Sequence, residues 1–177
     1  MKKIIALCLS LVLLLGVLTG CGQTDTASDA AATGPAGTLE EILENIYAGV
    51  KPEFDVMSMP VELSDADAVK YFTGLDSADS IAEALVSESA LGAQAYSLVL
   101  VRVNDAADAA DVAKQMKAGI DPRKWICVEA NDLRVAGAGD VVMLIMLSTE
   151  YADTITADAV VTAFADLCGG AVAIDLK

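Results

Sequence analysis

The sequence predicts an α+β fold, a two-layer sandwich in which helices cover one face of an antiparallel sheet of about four strands. Apolar side chains recur at helical spacing in segments 39–50, 109–116 and 160–168, which indicates three amphipathic helices. Segments 96–103 and 141–147 are almost wholly apolar and short, as is typical of central strands. A weaker strand pattern precedes each of them, so the predicted element order is α-ββα-ββα.

The first helix is predicted to begin after Thr38. Thr38 and Glu41 have the spacing of a capping box, in which each side chain bonds to the other residue's backbone N–H. Gly49 and Pro52 are expected to end the helix. Its apolar stripe consists of Leu39, Ile42, Leu43, Ile46, Tyr47 and Val50. Such a stripe is typical of a core face, and a partner-binding helix is the alternative.

The segment that follows is harder to interpret. Residues 53–63 are expected to be extended and irregular, and Pro60 argues against a central strand there. Ser64 favours the cap of a short helix that ends near Gly74. Residues 81–90 form a weak strand pattern that equally suits a helical turn.

The second half of the chain contains the clearer patterns. A helix is expected to begin at Asn104-Asp105 and to end at Gly119. Asp121-Pro122 is expected to begin a short helical turn over 123–130, which carries Trp125. Residues 133–136 and 141–147 flank a glycine-bearing turn and so predict a hairpin. Thr156 caps the last helix, and residues 171–176 form either a final short strand or a tail.

The N-terminus has the three parts of a secretory signal. Lysines at positions 2 and 3 precede an apolar run over 4–18, which is shorter than the roughly 20 residues of a spanning helix. The run ends in Leu18-Thr19-Gly20-Cys21. This arrangement resembles a bacterial lipoprotein signal peptide with its lipobox, whereas an uncleaved anchor helix is the alternative. The resemblance implies that a signal peptidase recognises Leu18, Thr19 and Gly20. It also implies that Cys21 receives a diacylglycerol and further acyl chains such as palmitate.

The predicted domains follow from that signal. Residues 1–20 are expected to be removed, residues 21–37 to form a lipidated, flexible tether of small polar residues, and residues 38–177 a single extracytoplasmic domain. As a coil the tether would span about 20–25 Å. Two or more acyl chains anchor a protein stably. The expected location is therefore the outer face of the cell membrane.

The chain is strongly acidic. It has 11 basic and 26 acidic residues, a formal charge of −15, and the removed segment contains two of the lysines and no acid. Such a surface repels nucleic acid and anionic headgroups, so no nucleic-acid partner is expected. Cationic partners or divalent ions are compatible with it.

Two cysteines remain beyond the signal and Cys21. Cys127 and Cys168 lie in a compartment where a disulfide is chemically allowed, yet their spacing carries no framework signature. Cys168 falls on the apolar stripe of the last helix, which favours a buried free thiol. The pairing of these two cysteines is left open by the sequence.

Several segments together carry a family resemblance. They are Ala95-Tyr96-Ser97-Leu98-Val99-Leu100-Val101, Trp125, Asn131-Asp132-Leu133-Arg134-Val135 and Gly139-Asp140-Val141-Val142-Met143-Leu144. With the lipobox and tether, they resemble the domain-of-unknown-function 4358 family of extracytoplasmic lipoproteins from Gram-positive bacteria, over roughly residues 40–165. The resemblance implies a fold and a location, and no catalytic residue.

The motifs of known chemistry are missing from the sequence. It contains no histidine, which excludes Ser-His-Asp and Cys-His catalysis and removes the commonest metal ligand. Zinc-protease, nucleophile-elbow, phosphate-loop, dinucleotide and EF-hand patterns are also lacking. We therefore predict no catalytic residues, no metal site, no cofactor and no enzymatic activity.

Three hypotheses follow for the function. The leading one is a membrane-anchored, non-enzymatic module that binds an envelope protein or other envelope component. The second is a lipoprotein that captures a small solute or cation for a transporter, although a single domain lacks the second lobe that usually closes around a solute. The third is an envelope hydrolase that uses a pair of carboxylates.

Overall fold

The computed structural model describes residues 33–177, so the predicted signal stretch and the predicted lipobox with Cys21 lie outside the described residues. In the described part no helix is long and apolar enough to cross a membrane. Within residues 33–177, four α-helices and six strands follow in the order α1 (Leu39–Gly49), β1 (Val56–Pro60), α2 (Ala66–Thr73), β2 (Ile81–Ser89), β3 (Tyr96–Val103), α3 (Ala109–Gly119), β4 (Asp132–Ala138), β5 (Val141–Leu147), α4 (Ala157–Leu167) and β6 (Ile174–Leu176).

The strands form one antiparallel sheet in the order β1-β2-β3-β5-β4-β6. The α+β class and the antiparallel sheet are therefore confirmed, whereas the predicted strand number and element order were wrong. The two strands that the predicted order omits are the edges of the sheet, although residues 171–176 were expected to form either a short strand or a tail. β1 is mostly exposed and ends in Pro60, and β6 has only three residues, so neither carries the apolar pattern of a central strand.

Helices cover both faces of the sheet, which corrects the prediction of helices on one face. α1 and α4 pack on one face, where Phe164 and Ile46 meet Leu98 in a single core cluster. α2 and α3 pack on the other, where Met116 and Val99 belong to a second cluster. The reason lies in β3 and β5, whose residues are buried on both sides and so require a cover on each.

Helix caps mostly follow the sequence. Thr38 Oγ1 accepts from the Glu41 N–H at 3.3 Å, and Glu41 Oε2 accepts from the Thr38 N–H at 2.9 Å, so the capping box is confirmed. Thr156 caps α4 as predicted. The cap of α2 is Asp65 and not Ser64. The Ser64 hydroxyl instead donates to the neighbouring Glu62 carboxylate.

The chain enters the domain at one end of the sheet, here called the proximal end, which contains the β4–β5 turn and the C-terminus of β3. The side chain of Arg102, the next-to-last residue of β3, connects the elements that meet there. Its guanidinium donates to Glu83 Oε1 at 2.7 Å, to Asp140 Oδ2 at 2.9 Å and to the Gly37 carbonyl at 2.7 Å. The described end of the predicted tether, residues 33–37, therefore contacts the domain.

Gly119 allows α2 and α3 to approach closely, and this contact generates a stability prediction. A Cβ at Gly119 would lie 2.0 Å from the Gly74 carbonyl oxygen. We expect Gly119→Ala to lower the free energy of unfolding in urea by about 2–3 kcal/mol, although alanine is ordinarily the better helix residue by about 1 kcal/mol.

Gly92→Ala is the matched control, because a Cβ there has no neighbour within 4 Å. We expect its free energy of unfolding to stay within about 0.5 kcal/mol of the parent. Equal stabilities of the two alanine variants would contradict the close approach of the helices.

Candidate functional site

The candidate site surrounds the connection between α3 and β4, residues 120–131, here called the distal loop because it reaches the end of the sheet opposite Gly37. It is not the predicted helical turn. One backbone hydrogen bond closes the loop on itself, from the Ala130 N–H to the Pro122 carbonyl at 2.8 Å, and one joins it to the β2–β3 connection, from the Ile126 N–H to the Gly92 carbonyl at 3.0 Å. A long irregular connection of this kind, held in one conformation, is a common carrier of binding function.

Lys124 fixes the distal loop to the sheet. Its side chain is only 2% exposed, and its ammonium forms an ion pair with the carboxylate of Glu88 on β2. The ring centroids of Tyr71, Phe72 and Trp125 lie 4.7, 5.4 and 5.4 Å from Nζ. Three rings and a carboxylate therefore replace the water that a lysine normally holds.

Burial lowers the pKa of Lys124 from its ordinary value, and the charge of Glu88 opposes that shift. The Lys124 Nζ also lies 3.5 Å from the Ser97 hydroxyl and 3.4 Å from the Tyr71 carbonyl oxygen. All the groups that face the ammonium are thus negative, polar or aromatic. The ion pair of Lys124 and Glu88 therefore holds the distal loop in one conformation over the end of the sheet.

Sequence reasoning missed Lys124 and Glu88. Trp125, which the sequence places in this connection, packs against the core of the α2–α3 face. The adjacent lysine reads as a solvent-exposed residue between an arginine and a tryptophan, and Glu88 ends a weak strand. Their proximity depends on the path of the loop, which the sequence does not reveal. The one sequence signal for a buried cation here was the aromatic pair Tyr71-Phe72 in a short helix.

A cleft opens beside this ion pair, between α2 and the distal loop. Its volume is about 510 Å³. The lining combines basic, acidic and aromatic groups: Asp67, Lys70, Tyr71, Gly119, Asp121, Arg123 and Lys124. Lys70 is already paired with Asp76 at 2.8 Å. The cleft therefore offers both signs of charge and one aromatic ring.

Two large apolar side chains are exposed at the distal end. Ile126 is 73% exposed and Leu91 is 61% exposed. They belong to different loops, which the hydrogen bond from Ile126 N–H to the Gly92 carbonyl joins. We call these two side chains the apolar tip of the distal end. Cys127 follows Ile126, is exposed, and has a positive φ of 63°.

The cysteine pairing that the sequence left open is not present. Cys127 and Cys168 are both free thiols. Cys168 belongs to the α1–α4 core and Cys127 lies in the distal loop beside the α2–α3 core, so the sheet separates them. Burial raises the pKa of the Cys168 thiol to about 11, as expected for a thiol that serves as a small apolar side chain.

The other predicted site residues are those of the lipobox. Leu18, Thr19, Gly20 and Cys21 lie outside the residues that the structure describes. Between residues 33 and 177, no group of three or more cysteine or acidic side chains is placed to hold a metal ion.

No protein-family model, curated protein or solved structure matches this chain. The resemblance to the domain-of-unknown-function 4358 family therefore stays a prediction from the sequence.

The Lys124–Glu88 pair generates a prediction about stability. Lys124→Met leaves the Glu88 carboxylate with little solvent and no counter-charge, so we expect a loss of about 3 kcal/mol in the free energy of unfolding. The double variant Lys124→Met/Glu88→Leu should recover much of that loss, with a coupling energy of about 2 kcal/mol in urea titrations.

Lys70→Met is the matched control, because it breaks the pair between Lys70 and Asp76, whose side chains are 47% and 93% exposed. An exposed pair contributes at most about 1 kcal/mol. If Lys124→Met cost no more than Lys70→Met, the buried pair would not be what holds the distal loop.

Proposed function

We propose that the protein is a lipid-anchored, extracytoplasmic binding module without enzymatic activity, and that it binds a partner protein through the apolar tip of its distal end. The observation that carries the proposal is the exposure of Ile126 and Leu91 on two loops joined by a hydrogen bond. Large apolar side chains that are held together in solvent mark contact sites more often than scattered ones do.

The position of the chain entry supports this choice of surface. Gly37 contacts Arg102 at the proximal end, whereas Ile126 and Leu91 lie at the other end of the sheet. The eight residues of β3 separate the two ends, a distance of about 25 Å. A lipid on Cys21 would hold the proximal end toward the membrane and leave the distal end for a partner.

Electrostatics define the kind of partner. Exposed acids lie at the distal end. Glu53 and Asp55 line the same surface groove as Leu91, Glu129 belongs to the distal loop, and Glu150 follows the distal end of β5. The whole chain has a formal charge of −15. A complementary surface presents apolar side chains in its centre and lysine or arginine at its rim. The proposed partner is therefore a basic extracytoplasmic protein.

Lipid attachment is tested at Cys21. Cys21→Ala removes the sulfur that would form the thioether, so the protein should be released from the membrane fraction or stay unprocessed at the precursor mass. Fractionation and mass spectrometry of cells that express each form measure this. A Cys21→Ala protein that stays membrane-bound at the mature mass would contradict the anchor.

Partner binding is tested by photo-crosslinking in intact cells. A photoreactive amino acid at position 91 or at position 126 should yield the same crosslinked protein, because both positions belong to one surface. Ile126→Ala should reduce the crosslink from position 91 about tenfold, while its free energy of unfolding stays within about 0.5 kcal/mol of the parent.

Ala107 is the control position, because it is exposed in the short turn Ala106–Asp108 at the proximal end. Equal yield of the same product from position 107 would contradict a role for the apolar tip. Two unrelated products from positions 91 and 126 would contradict it as well.

The 510 Å³ cleft favours a second candidate, the capture of a small solute for a transporter. Its volume is within the usual range of ligand sites, and its mixed charges suit a zwitterionic or aromatic solute. A thermal-shift screen with metabolites separates the two candidates, since a solute at 100 times its dissociation constant adds about 2.7 kcal/mol of stability.

A further inference from the structure

The outer edge of β1 is open. β1 is the first strand of the sheet, and in the described part of the chain no strand pairs with its other side. Its sequence, Val56-Met57-Ser58-Met59-Pro60, contains no charged residue. Met57 is 57% exposed and Met59 is 42% exposed. An uncharged strand at the edge of a sheet is a template for another strand.

The register shows which main-chain groups are free. The Asp55 carbonyl accepts from the Ala90 N–H at 3.0 Å, and the Val61 N–H donates to the Ala84 carbonyl at 2.8 Å. Since main-chain groups alternate in direction along a strand, the odd-numbered residues of β1 bond to β2 and the even-numbered ones point outward. The N–H and carbonyl groups of Val56 and Ser58 therefore face outward.

Pro60 ends this edge on the same outward side, where it presents a carbonyl and no N–H. Proline is tolerated there because its missing donor costs no ladder bond. The Ser58 hydroxyl donates to Ser87 Oγ at 2.9 Å, so the side chain is held on the sheet face and leaves the edge open. Methionine side chains adapt to different partners, which suits Met57 and Met59 to line such an edge.

Charge decides between two occupants of the edge. Exposed acids flank β1, namely Glu53 and Asp55 before it and Glu62 after it. Two copies paired edge to edge about Ser58 would bring Glu53 and Asp55 of one copy close to Glu62 of the other at both ends of the paired strands, which disfavours a second copy. Hydrogen bonds from Ser64 lower the pKa of Glu62 and so favour its charged form.

We propose that β1 is a docking edge for an extended, basic segment of another protein, which adds a seventh strand to the sheet. Main-chain hydrogen bonds to Val56, Ser58 and Pro60 would hold the segment, as in other cases of strand addition. Lysine or arginine at alternate positions of the segment would lie on the sheet face of Met57 and Met59, where the stem of each side chain contacts a methionine and the charge lies near the acid that precedes β1. The apolar residues between them would lie on the opposite face. The inference does not depend on the apolar tip.

Amide hydrogen exchange tests this directly. The probe is a synthetic peptide of alternating lysine and valine. It is added to the full-length chain, which is labelled with ¹⁵N at valine, serine and methionine and kept in neutral detergent. Without peptide, the outward N–H groups of Val56 and Ser58 should exchange rapidly. With peptide bound, their exchange should slow by about tenfold or more. The N–H groups of Met57 and Met59, which already bond to β2, should not change.

A peptide of alternating glutamate and valine is the matched ligand control and should give no protection. The matched variants are Met59→Lys, which should abolish protection by the basic peptide, and Met59→Glu, which should preserve it. No protection of Val56 and Ser58 by the basic peptide would overturn the proposal. So would protection before any peptide is added, because another part of the chain or a second copy would then occupy the edge.

Discussion

The structure depends on two adjacent strands, β3 and β5, that bury side chains on both faces of the sheet. Every residue of β5 is buried, and β3 leaves only Arg102 partly exposed. A strand of this kind must be covered twice, because its main-chain polar groups and apolar side chains are both removed from water. α1 and α4 provide one cover and α2 and α3 the other, so a three-layer domain follows from the composition of two strands.

One polar cluster lies at each end of the sheet. At the proximal end, Arg102 connects Glu83, Asp140 and the Gly37 carbonyl, and this fixes the place where the chain enters. At the distal end, Lys124 and Glu88 form a buried pair that holds the distal loop over the sheet. The two clusters distinguish the ends of the domain: residue Gly37 contacts one end, and the apolar tip lies at the other.

Much of this fold could be predicted from the sequence, and the failures have physical causes. Thr38 and Glu41 identify a helix start because a capping box is local. Strand β1 could not be identified, because an exposed edge strand needs no apolar alternation, and Met57 and Met59 suited an irregular segment equally well. The number of layers was missed although the two-sided apolar pattern of β3 was visible.

The candidate site was less predictable than the fold. The predicted lipobox is a local pattern, so Cys21 could be proposed from the sequence alone. The ion pair of Lys124 and Glu88 joins residues 36 positions apart, and only the path of the chain brings them together. Ile126 and Leu91 also read as ordinary apolar residues, since exposure is a property of the fold and not of the residue type.

The central claim is that the domain is oriented, with its proximal end toward the membrane and its apolar tip away from it. The most direct test reconstitutes the full-length chain in vesicles that contain nitroxide-labelled headgroups, with a fluorescent amino acid at position 107 or at position 126. The account predicts stronger quenching at position 107, because Ala107 lies at the end where the chain enters and Ile126 lies about 25 Å away along the sheet. Equal quenching at the two positions, or stronger quenching at position 126, would contradict it.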